Sequence, residues 1–335
     1  MTQTTPSINQ AALGLLQNAN RILLTGHIRP DGDCIGAQAA LYPLLKSMGK
    51  QVFVINSHEP EVQFEYLRAD VPFEVMVDGQ LPEHDLVILL DCSELSRTGA
   101  MADILEALPC KKMVIDHHVL PEHAWWDGAI VDTSASATGV LIYRLAQHLG
   151  YELPAVARLG VFTSIVSDTG WFKYSNTDGE TLKIAGELVS QGLAPEQIYG
   201  SIYQRKSAEH PTSVGRALEL LTYHAGGALA TVTIPLSMDG ASGSFDSDDV
   251  LDLVRSVGCV EVVLFIREIE PGVCKLSARS KSDYDVNRLA RSFGGGGHVK
   301  ASGATLKMLP SEAKKALVEA AIEQARDGGS SGWTM

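Results

Sequence analysis

The sequence predicts an α/β protein, with an N-terminal parallel-sheet domain flanked by helices and a smaller C-terminal α/β domain. Three observations predict this fold class. The 335 residues are enough for two domains of ordinary size. Apolar strand-like runs alternate with helix-like segments over residues 21–132, as they do around a parallel sheet. A second set of strand-like and helix-like segments follows an interruption at residues 223–227.

The first half of the chain supplies the elements of the predicted parallel sheet. Its apolar runs predict strands over 21–26, 51–56, 85–91, 111–116 and 127–132. Helices are expected near 8–19 and over 35–48, 100–108, 136–149, 154–167, 178–191 and 195–203. Gly192 and Pro195 separate the last two helices.

The second half begins with a predicted helix over 207–221, and the domain boundary is expected near 190–225. Strands are predicted over 228–235, 260–269, 273–279 and 303–308, and helices over 246–256, 285–293 and 310–326. The segment 328–332 is rich in glycine and serine, which predicts a flexible tail.

Composition excludes several classes of protein. The formal net charge of −13 argues against binding long nucleic acid, which needs a broad basic surface. No apolar run is long enough to span a bilayer, so no membrane association is expected, and residues 1–9 lack the pattern of a signal peptide. The five cysteines are scattered, without zinc-type spacing or a disulfide framework. A cytoplasmic location is the simplest expectation.

The most informative motif is Asp116-His117-His118, which directly follows the apolar run 113–115. The carboxyl ends of parallel strands are where α/β proteins place their chemistry. An acid and two imidazoles are costly to bury unless something pairs with them, and a metal ion is a natural partner. A helix-capping aspartate beside two surface histidines is the structural alternative for this motif alone.

Three other segments end in the same way, which favours the metal site. The run 21–26 is followed by His27, Asp31 and Asp33, the run 85–90 by Asp91, and the run 159–166 by Asp168. With His117, the candidate metal ligands are His27, Asp31, Asp33, Asp91, His117 and Asp168.

Six oxygen and imidazole ligands exceed the needs of one tetrahedral zinc and suit two ions that share carboxylates. The ligand types favour Mn²⁺, with Mg²⁺ or Co²⁺ as substitutes. Two such ions predict hydrolysis at phosphorus by a hydroxide that attacks in line. His118 could then contact a phosphoryl oxygen or protonate the leaving oxygen. Asp116 could orient His117. Cys34, beside the aspartates, is interpreted as a small buried residue at a helix start.

A second candidate site lies in the C-terminal half. The glycine run that includes Gly295, Gly296 and Gly297 exposes backbone N–H groups that can approach an anion, and His298 adds a side-chain donor. Arg279 ends a predicted strand and could meet a ligand. In the first half, Arg97 follows Asp91 by six residues and could recognise phosphate, with a surface arginine as the alternative. A flexible linker is the alternative for the glycines.

In these motifs the chain resembles the DHH phosphoesterase family with its C-terminal DHH-associated domain. The resemblance rests on His27-x-x-x-Asp31-x-Asp33, Asp91, Asp116-His117-His118 and residues 167–170, with the glycine-histidine run matching the associated domain. It spans roughly residues 20–310. It implies domains at 1–190 and 226–327, a helical linker at 191–225 and a flexible tail at 328–335, with the active site in the cleft between the domains.

The resemblance also implies two Mn²⁺ ions and a division of roles. His27 and Asp31 would bind one ion, Asp33 and His117 the other, with Asp91 and Asp168 between them. His118, Arg97, Arg279 and His298 match positions that hold substrate phosphate or nucleotide. A homodimer is expected by resemblance alone.

The size resembles the short two-domain members, which degrade oligoribonucleotides of a few residues and remove the 3′-phosphate of adenosine 3′,5′-bisphosphate (pAp). The expected function is therefore a Mn²⁺-dependent phosphoesterase acting on short RNA or nucleotides. A phosphodiesterase for cyclic di-AMP or the linear dinucleotide pApA is the alternative. A nucleotide-binding regulator without turnover and a polyphosphatase or pyrophosphatase are further alternatives.

Overall fold

The computed structural model describes residues 9–238, 247–328 and 333. The chain divides into two compact units between Arg205 and Lys206. The predicted linker over 191–225 stays a prediction; in the structure that stretch contributes to both units. The predicted tail at 328–335 lies largely outside the described residues.

The first unit is a parallel six-stranded sheet with helices between its strands. Its elements are α1 (Gln10–Asn18), β1 (Arg21–Thr25), α2 (Gly32–Ser47), β2 (Gln51–Asn56), β3 (Phe73–Val75), β4 (Leu86–Leu90), α3 (Ala102–Ala107), β5 (Lys111–Asp116), β6 (Gly128–Val131), α4 (Thr138–His148), α5 (Ala155–Asp168), α6 (Gly179–Ser190) and α7 (Pro195–Tyr203). All five predicted strands are present. The sequence analysis missed β3, a three-residue strand.

The strand order, β3-β2-β1-β4-β5-β6, explains where a site can form. From β1 the chain proceeds outward on one side to β2 and β3, and on the other to β4, β5 and β6. The connections after β1 and β4 therefore diverge, which leaves a crevice at the carboxyl ends of these central strands. The strand cores are almost fully buried, as expected for a parallel sheet covered on both faces.

Two glycines allow α2 and α5 to cross in close contact. A Cβ atom on Gly36 would lie 2.5 Å from the carbonyl oxygen of Gly160, and one on Gly160 would lie 2.5 Å from the carbonyl oxygen of Gly36. Neither position can hold a larger side chain without moving a backbone. This close crossing brings the N-terminal end of α2 and the C-terminal half of α5 to the same region.

The second unit is a six-stranded mixed sheet in the order β11-β12-β10-β9-β8-β7. Its elements are α8 (His210–Leu218), β7 (Leu221–His224), β8 (Leu229–Ile234), α9 (Ser247–Arg255), β9 (Val262–Glu270), β10 (Val273–Ser280), α10 (Val286–Ser292), β11 (Gly296–His298), β12 (Ala301–Leu306) and α11 (Pro310–Asp327). Only β8 and β9 are parallel neighbours. Alternate residues of β9 face opposite cores, Leu264 with α10 and α11, Phe265 with α8 and α9.

The sequence analysis missed two short strands of this sheet. β7 lies where the sequence predicts the end of the helix over 207–221 and the interruption that follows it. β11 lies in the glycine run, and glycine has a low strand propensity. In the described part of the chain, no helix has both the length and the apolar character needed to cross a membrane.

Candidate active site

Strand ends and helix ends of the first unit bring the six predicted metal ligands together. His27 lies two residues beyond β1, Asp91 directly follows β4, and His117 directly follows β5. Asp33 lies in the first turn of α2, and Asp168 is the last residue of α5. Asp31 caps α2, accepting hydrogen bonds from the amides of Asp33 and Cys34 at 3.0 and 3.1 Å.

Asp91 lies at the centre of the cluster, between two imidazoles. Its Oδ2 is 3.3 Å from Nε2 of His27, and its Oδ1 is 3.7 Å from Nε2 of His117. The residue has a φ of 59°, in the left-handed region that non-glycine residues rarely adopt. Its amide still donates to the carbonyl of Ile115 at 3.0 Å, which ties the turn to β5. Such backbone strain is characteristic of functional sites.

Backbone hydrogen bonds fix the orientation of both central histidines. Nδ1 of His27 lies 2.9 Å from the carbonyl of Ile28, and Nδ1 of His117 lies 3.0 Å from the carbonyl of Ala135. Since a carbonyl can only accept, each Nδ1 carries a proton, and once a ring is neutral its Nε2 turns a lone pair toward the carboxylates. This second contact is what metal-binding histidines use to fix their tautomer.

The Nε2 atom of His117 carries the strongest indication of a metal. It is buried and has no hydrogen-bond partner among the described residues. Yet it lies 3.3 Å from Oδ2 of Asp33 and 3.6 Å from Oδ2 of Asp168. A buried polar atom without a partner is costly, and a cation between the ring and these carboxylates would satisfy all of them.

Asp33 is held by donors from two helices. Its Oδ2 accepts from the amide of Thr138 at 2.9 Å, and its Oδ1 accepts from the amide of Gly139 at 3.4 Å and from the hydroxyl of Ser164. The first two donors are at the N-terminus of α4, where the helix dipole favours a negative charge. The sequence analysis missed Thr138 and Ser164, because neither lies in a motif and both reach Asp33 only through the packing of helices.

The electrostatics of the cluster also favour cations. Burial alone would lower the pKa of His27, but Asp31 and Asp91 outweigh it and raise the pKa to about 10. Burial alone would also lower the pKa of His117, but Asp33 outweighs burial and raises this pKa to about 10. Burial and the neighbouring Asp33 raise the pKa of Asp91 well above its usual range and that of Asp168 to about 7. Without added positive charge, the cluster retains protons.

The donor set fits divalent ions. Ligand atoms lie within 4.8 Å of one another in three groups, His27–Cys34–Asp91, Asp91–His117–His118 and Asp33–His117–Asp168. Asp91 belongs to two of the groups, and hard oxygen and imidazole donors dominate all three. Cys34 is buried, as predicted, although its thiol lies close enough to belong to one group.

Asp116 orients a different histidine from the one proposed. Its Oδ1 lies 2.8 Å from Nδ1 of His118 and accepts from the His118 amide at 3.1 Å, whereas the ring of His117 is held by Ala135. The proposal that Asp116 orients His117 is therefore corrected. The physical reason is that Asp116 still belongs to β5, and the chain turns so that the second histidine folds back onto it. His118 is about one-third exposed.

Arg97 lies next to this cluster in sequence and in backbone contact. Its carbonyl accepts from the amide of Ile28 at 2.7 Å, which joins the segment after β4 to the loop after β1. Its side chain is exposed. An exposed guanidinium beside this loop is free to meet an anionic ligand.

In the second unit, Arg279 and His298 align across three strands. Arg279 on β10 and His298 on β11 are both paired with Ala301 on β12, the strand between them. Directly paired residues share a face of the sheet, so both side chains rise from the same face with only a methyl group between them. Arg279 is also hydrogen-bonded to Asp248 at 2.8 Å.

The predicted glycines serve close packing of the β11 segment as well as exposing its backbone. A Cβ on Gly295 would lie 2.1 Å from the carbonyl of Gly303, and one on Gly297 would lie 2.6 Å from the carbonyl of Ala301. Gly297 also has a φ of 141°. Gly296 is exposed, and a Cβ there would meet only the side-chain Oδ1 of Asn287, at 4.0 Å, among the described residues. The flexible-linker alternative is excluded for this run, because the glycines pair with β12.

Comparison with known proteins gives the same division of the chain. The model of the DHH family N-terminal domain matches residues 21–161, and that of the DHHA1 domain matches residues 205–327. The bifunctional oligoribonuclease and PAP phosphatase NrnA of Thermus thermophilus is 33% identical over 312 residues, 92% of this chain and 91% of that protein. The chain belongs to the DHH phosphoesterase family. The predicted family and fold class are therefore confirmed.

Other DHH proteins extend the comparison. The protein of the same name from Bacillus subtilis is 32% identical, over 85% of this chain and 89% of that protein. The crystal structure of an exopolyphosphatase-related protein from Bacteroides fragilis gives a TM-score of 0.87 at 28% identity, over 97% of this chain and 99% of that one. The exonuclease RecJ bound to manganese shares the fold, with a TM-score of 0.52 at 18% identity over 94% of each chain. Membership of the DHH family supports the prediction of a phosphoric-ester hydrolase.

Proposed function

We propose that this protein is a Mn²⁺-dependent phosphoesterase that hydrolyses short oligoribonucleotides to mononucleotides and removes the 3′-phosphate of pAp. The observation that carries the metal dependence is the buried Nε2 of His117, which faces three carboxylates and has no hydrogen-bond partner in the described part of the chain. The substrate assignment is supported by relatives named bifunctional oligoribonuclease and PAP phosphatase, which match nearly the whole chain.

The ligand distances support two cation positions. His27, Asp31 and Asp91 are the proposed ligands of one ion, with Nε2 of His27 at 3.7 Å from Oδ1 of Asp31. Asp33, His117 and Asp168 are the proposed ligands of the other, and Asp91 is shared, because each of its oxygens faces a different imidazole. Two divalent ions would supply an activated water and neutralise the charge that develops on the phosphoryl group.

His118 is the proposed proton donor or phosphate contact. Asp116 binds its Nδ1, so Nε2 is the ring nitrogen left for a ligand. Burial alone would raise the pKa of Asp116, but the His118 ring outweighs it and holds the pKa below its usual range. An ionised Asp116 holds the His118 ring through Nδ1, which leaves Nε2 to contact a phosphoryl oxygen or the leaving oxygen.

Arg97, Arg279, His298 and the exposed backbone of Gly296 are the proposed contacts to substrate. Guanidinium groups bind phosphate oxygens in pairs, and glycine allows a close approach to an anion. The net charge of −13 opposes a long polyanion, so a few local cationic contacts favour a short substrate.

Product analysis with Mn²⁺ tests the proposal. The wild-type protein and Asp91→Ala are incubated with pAp, pApA, a five-nucleotide RNA, a long single strand, cyclic di-AMP and pyrophosphate. We expect phosphate from pAp and mononucleotides from the short RNA, and no product with Asp91→Ala.

Each other outcome has a defined meaning. Turnover confined to cyclic di-AMP or pApA would replace the proposed substrates with signalling dinucleotides. Turnover confined to pyrophosphate would assign a phosphoanhydride hydrolase. Tight nucleotide binding without any turnover would make the protein a regulator.

A further inference from the structure

The side-chain amide of Asn176 contacts Asp168, a proposed metal ligand whose side chain is partly exposed. Its Nδ2 lies 3.2 Å from Oδ2 of Asp168, 3.2 Å from the carbonyl of Asp168 and 3.0 Å from the carbonyl of Ser136. Neither the motifs nor the six candidate ligands include Asn176.

Asp168 differs from the other carboxylates in how it is held. Asp33 is almost fully buried and accepts from two amides and a hydroxyl, and Asp91 accepts from the hydroxyl of Thr138 at 3.2 Å. The Asp168 side chain is 33% exposed and lies at the very end of α5. In the described part of the chain, Asn176 is the donor found on its carboxylate.

The loop that carries Asn176 is folded back by its own hydrogen bonds. The carbonyl of Thr169 accepts from the amides of Lys173 and Tyr174 at 2.9 and 3.0 Å, and its hydroxyl accepts from the amide of Phe172 at 3.0 Å. Trp171 and Phe172 both have positive φ angles, 60° and 66°. Strained residues persist when their surroundings hold them, and the rings of Trp171 and Phe172 both pack against Phe162. The loop is thereby fixed in the course that returns Asn176 to Asp168.

The orientation of the amide follows from its surroundings. Two of the three oxygens around Nδ2 are backbone carbonyls, which can only accept, so the NH₂ group must face them. Oδ1 is then buried without a partner among the described residues, which is costly. The amide keeps this orientation despite the unsatisfied oxygen, because only in this orientation can Nδ2 donate to Asp168.

We propose that Asn176 is a positioning residue that fixes the carboxylate of Asp168 for the second cation. Its N–H occupies one lone pair of Oδ2 and leaves that oxygen facing Nε2 of His117, 3.6 Å away. The inference rests on the proposed metal centre. It assigns to Asn176 a part in metal affinity, through Asp168, and no contact with the ion itself.

Metal titration of the full-length, metal-free protein tests the inference without relying on turnover. Free Mn²⁺ is followed by its electron paramagnetic resonance spectrum in wild type, Asn176→Ala, Asn176→Asp and Thr177→Val. Thr177→Val is the matched control, because it lies in the same loop and removes a buried hydroxyl that has no partner among the described residues.

We expect wild type and Thr177→Val to bind two ions per chain with the same affinities. Asn176→Ala should weaken one of the two ions by about 10- to 100-fold, the effect typical of losing a contact to a metal ligand. Asn176→Asp keeps the size but replaces the donor with a charged acceptor beside Asp168, so it should weaken that ion at least as much as alanine does.

Three outcomes would overturn the inference. Wild-type affinities in Asn176→Ala would show that Asp168 needs no fixing, and recovery in Asn176→Asp would show that the side chain only fills space. Both of these leave the metal centre intact. A wild-type protein that binds no Mn²⁺ would remove the metal centre and this inference together.

Discussion

The cluster in the first unit and the row formed by Arg279 and His298 in the second unit are built on opposite principles. Asp33 and Asp91 are 1% and 2% exposed, and each is fixed by donors from neighbouring elements. His298 is exposed, and Arg279 is partly exposed, with its guanidinium paired to a surface aspartate. A preorganised buried site does not reorganise when charge develops, whereas an exposed row must order its side chains on binding. The first should therefore control kcat and the second KM.

The largest effect should come from the centre of the buried cluster. Asp91→Asn replaces a carboxylate that faces both His27 and His117 with a neutral amide. We expect kcat/KM for pAp to fall by at least about 10³-fold, about 4 kcal/mol, mainly through kcat. Steady-state kinetics with saturating Mn²⁺ measure it. A change of only a fewfold would contradict the central role of Asp91 and remove the contrast between the two regions.

Arg279→Ala should have a smaller effect, and it should change KM rather than kcat. Removing an exposed cation from the row should raise KM by about 10- to 100-fold and change kcat little, because the contact is made to bound phosphate in ground and transition states alike. Arg279→Lys, which keeps the charge but loses the paired N–H donors, should fall between alanine and wild type. A loss expressed mainly in kcat would place Arg279 among the reacting groups instead.

Local sequence patterns predicted the centre of the buried cluster. Three of the candidate ligands, His27, Asp91 and His117, follow apolar strands that end at the same edge of a parallel sheet, so local patterns were enough to bring them together. The position of a residue along its strand is a local property of the sequence. The parallel topology then brings the carboxyl ends of the strands to one edge of the sheet.

The missing parts of the site depend on contacts between distant segments. Ser164 reaches Asp33 across 131 positions of the chain, and no local pattern announces it. Asn176 returns to Asp168 through a loop in which Trp171 and Phe172 adopt positive φ angles, which sequence propensity disfavours. Asp116 was correctly placed in the motif, but its partner could not be chosen, since the turn after β5 decides which imidazole folds back.

The rigidity of the buried cluster should depend on the close crossing of α2 and α5. In Gly160→Ala the new methyl would lie 2.5 Å from the carbonyl of Gly36, so the helices must separate. We expect the free energy of unfolding to fall by about 1–3 kcal/mol, as for other overpacked sites, and Mn²⁺ affinity to fall as Ser164 leaves Asp33. Urea denaturation and metal titration measure the two effects.

Gly186→Ala is the control for that change. Gly186 lies inside α6, and a Cβ there meets nothing within 4 Å among the described residues, so alanine should stabilise the helix by about 0.5–1 kcal/mol. If Gly160→Ala behaved like Gly186→Ala, the crossing would not be what holds the cluster.

The last expected effect is a pH dependence of metal binding that belongs to the first unit alone. Asp31 and Asp91 raise the pKa of His27 to about 10, and Asp33 raises that of His117 to about 10. Near pH 7, with no cation present, both imidazoles are therefore in the charged form with a proton on each nitrogen. Metal binding needs the neutral ring and must displace these protons, so affinity should increase as pH rises toward the raised pKa values. We expect Mn²⁺ affinity to rise by about tenfold per pH unit for each proton displaced between about pH 6.5 and 8.5.

Calorimetry in buffers of different ionisation enthalpy counts the protons released at one pH. Arg279→Ala should release the same number as wild type, because Arg279 lies in the second unit and is not a proposed ligand. An affinity that stays flat across this range, with no proton released, would mean that the imidazoles are already neutral before the cation arrives. The negative charge of the carboxylates would then be balanced by groups other than the imidazoles of His27 and His117.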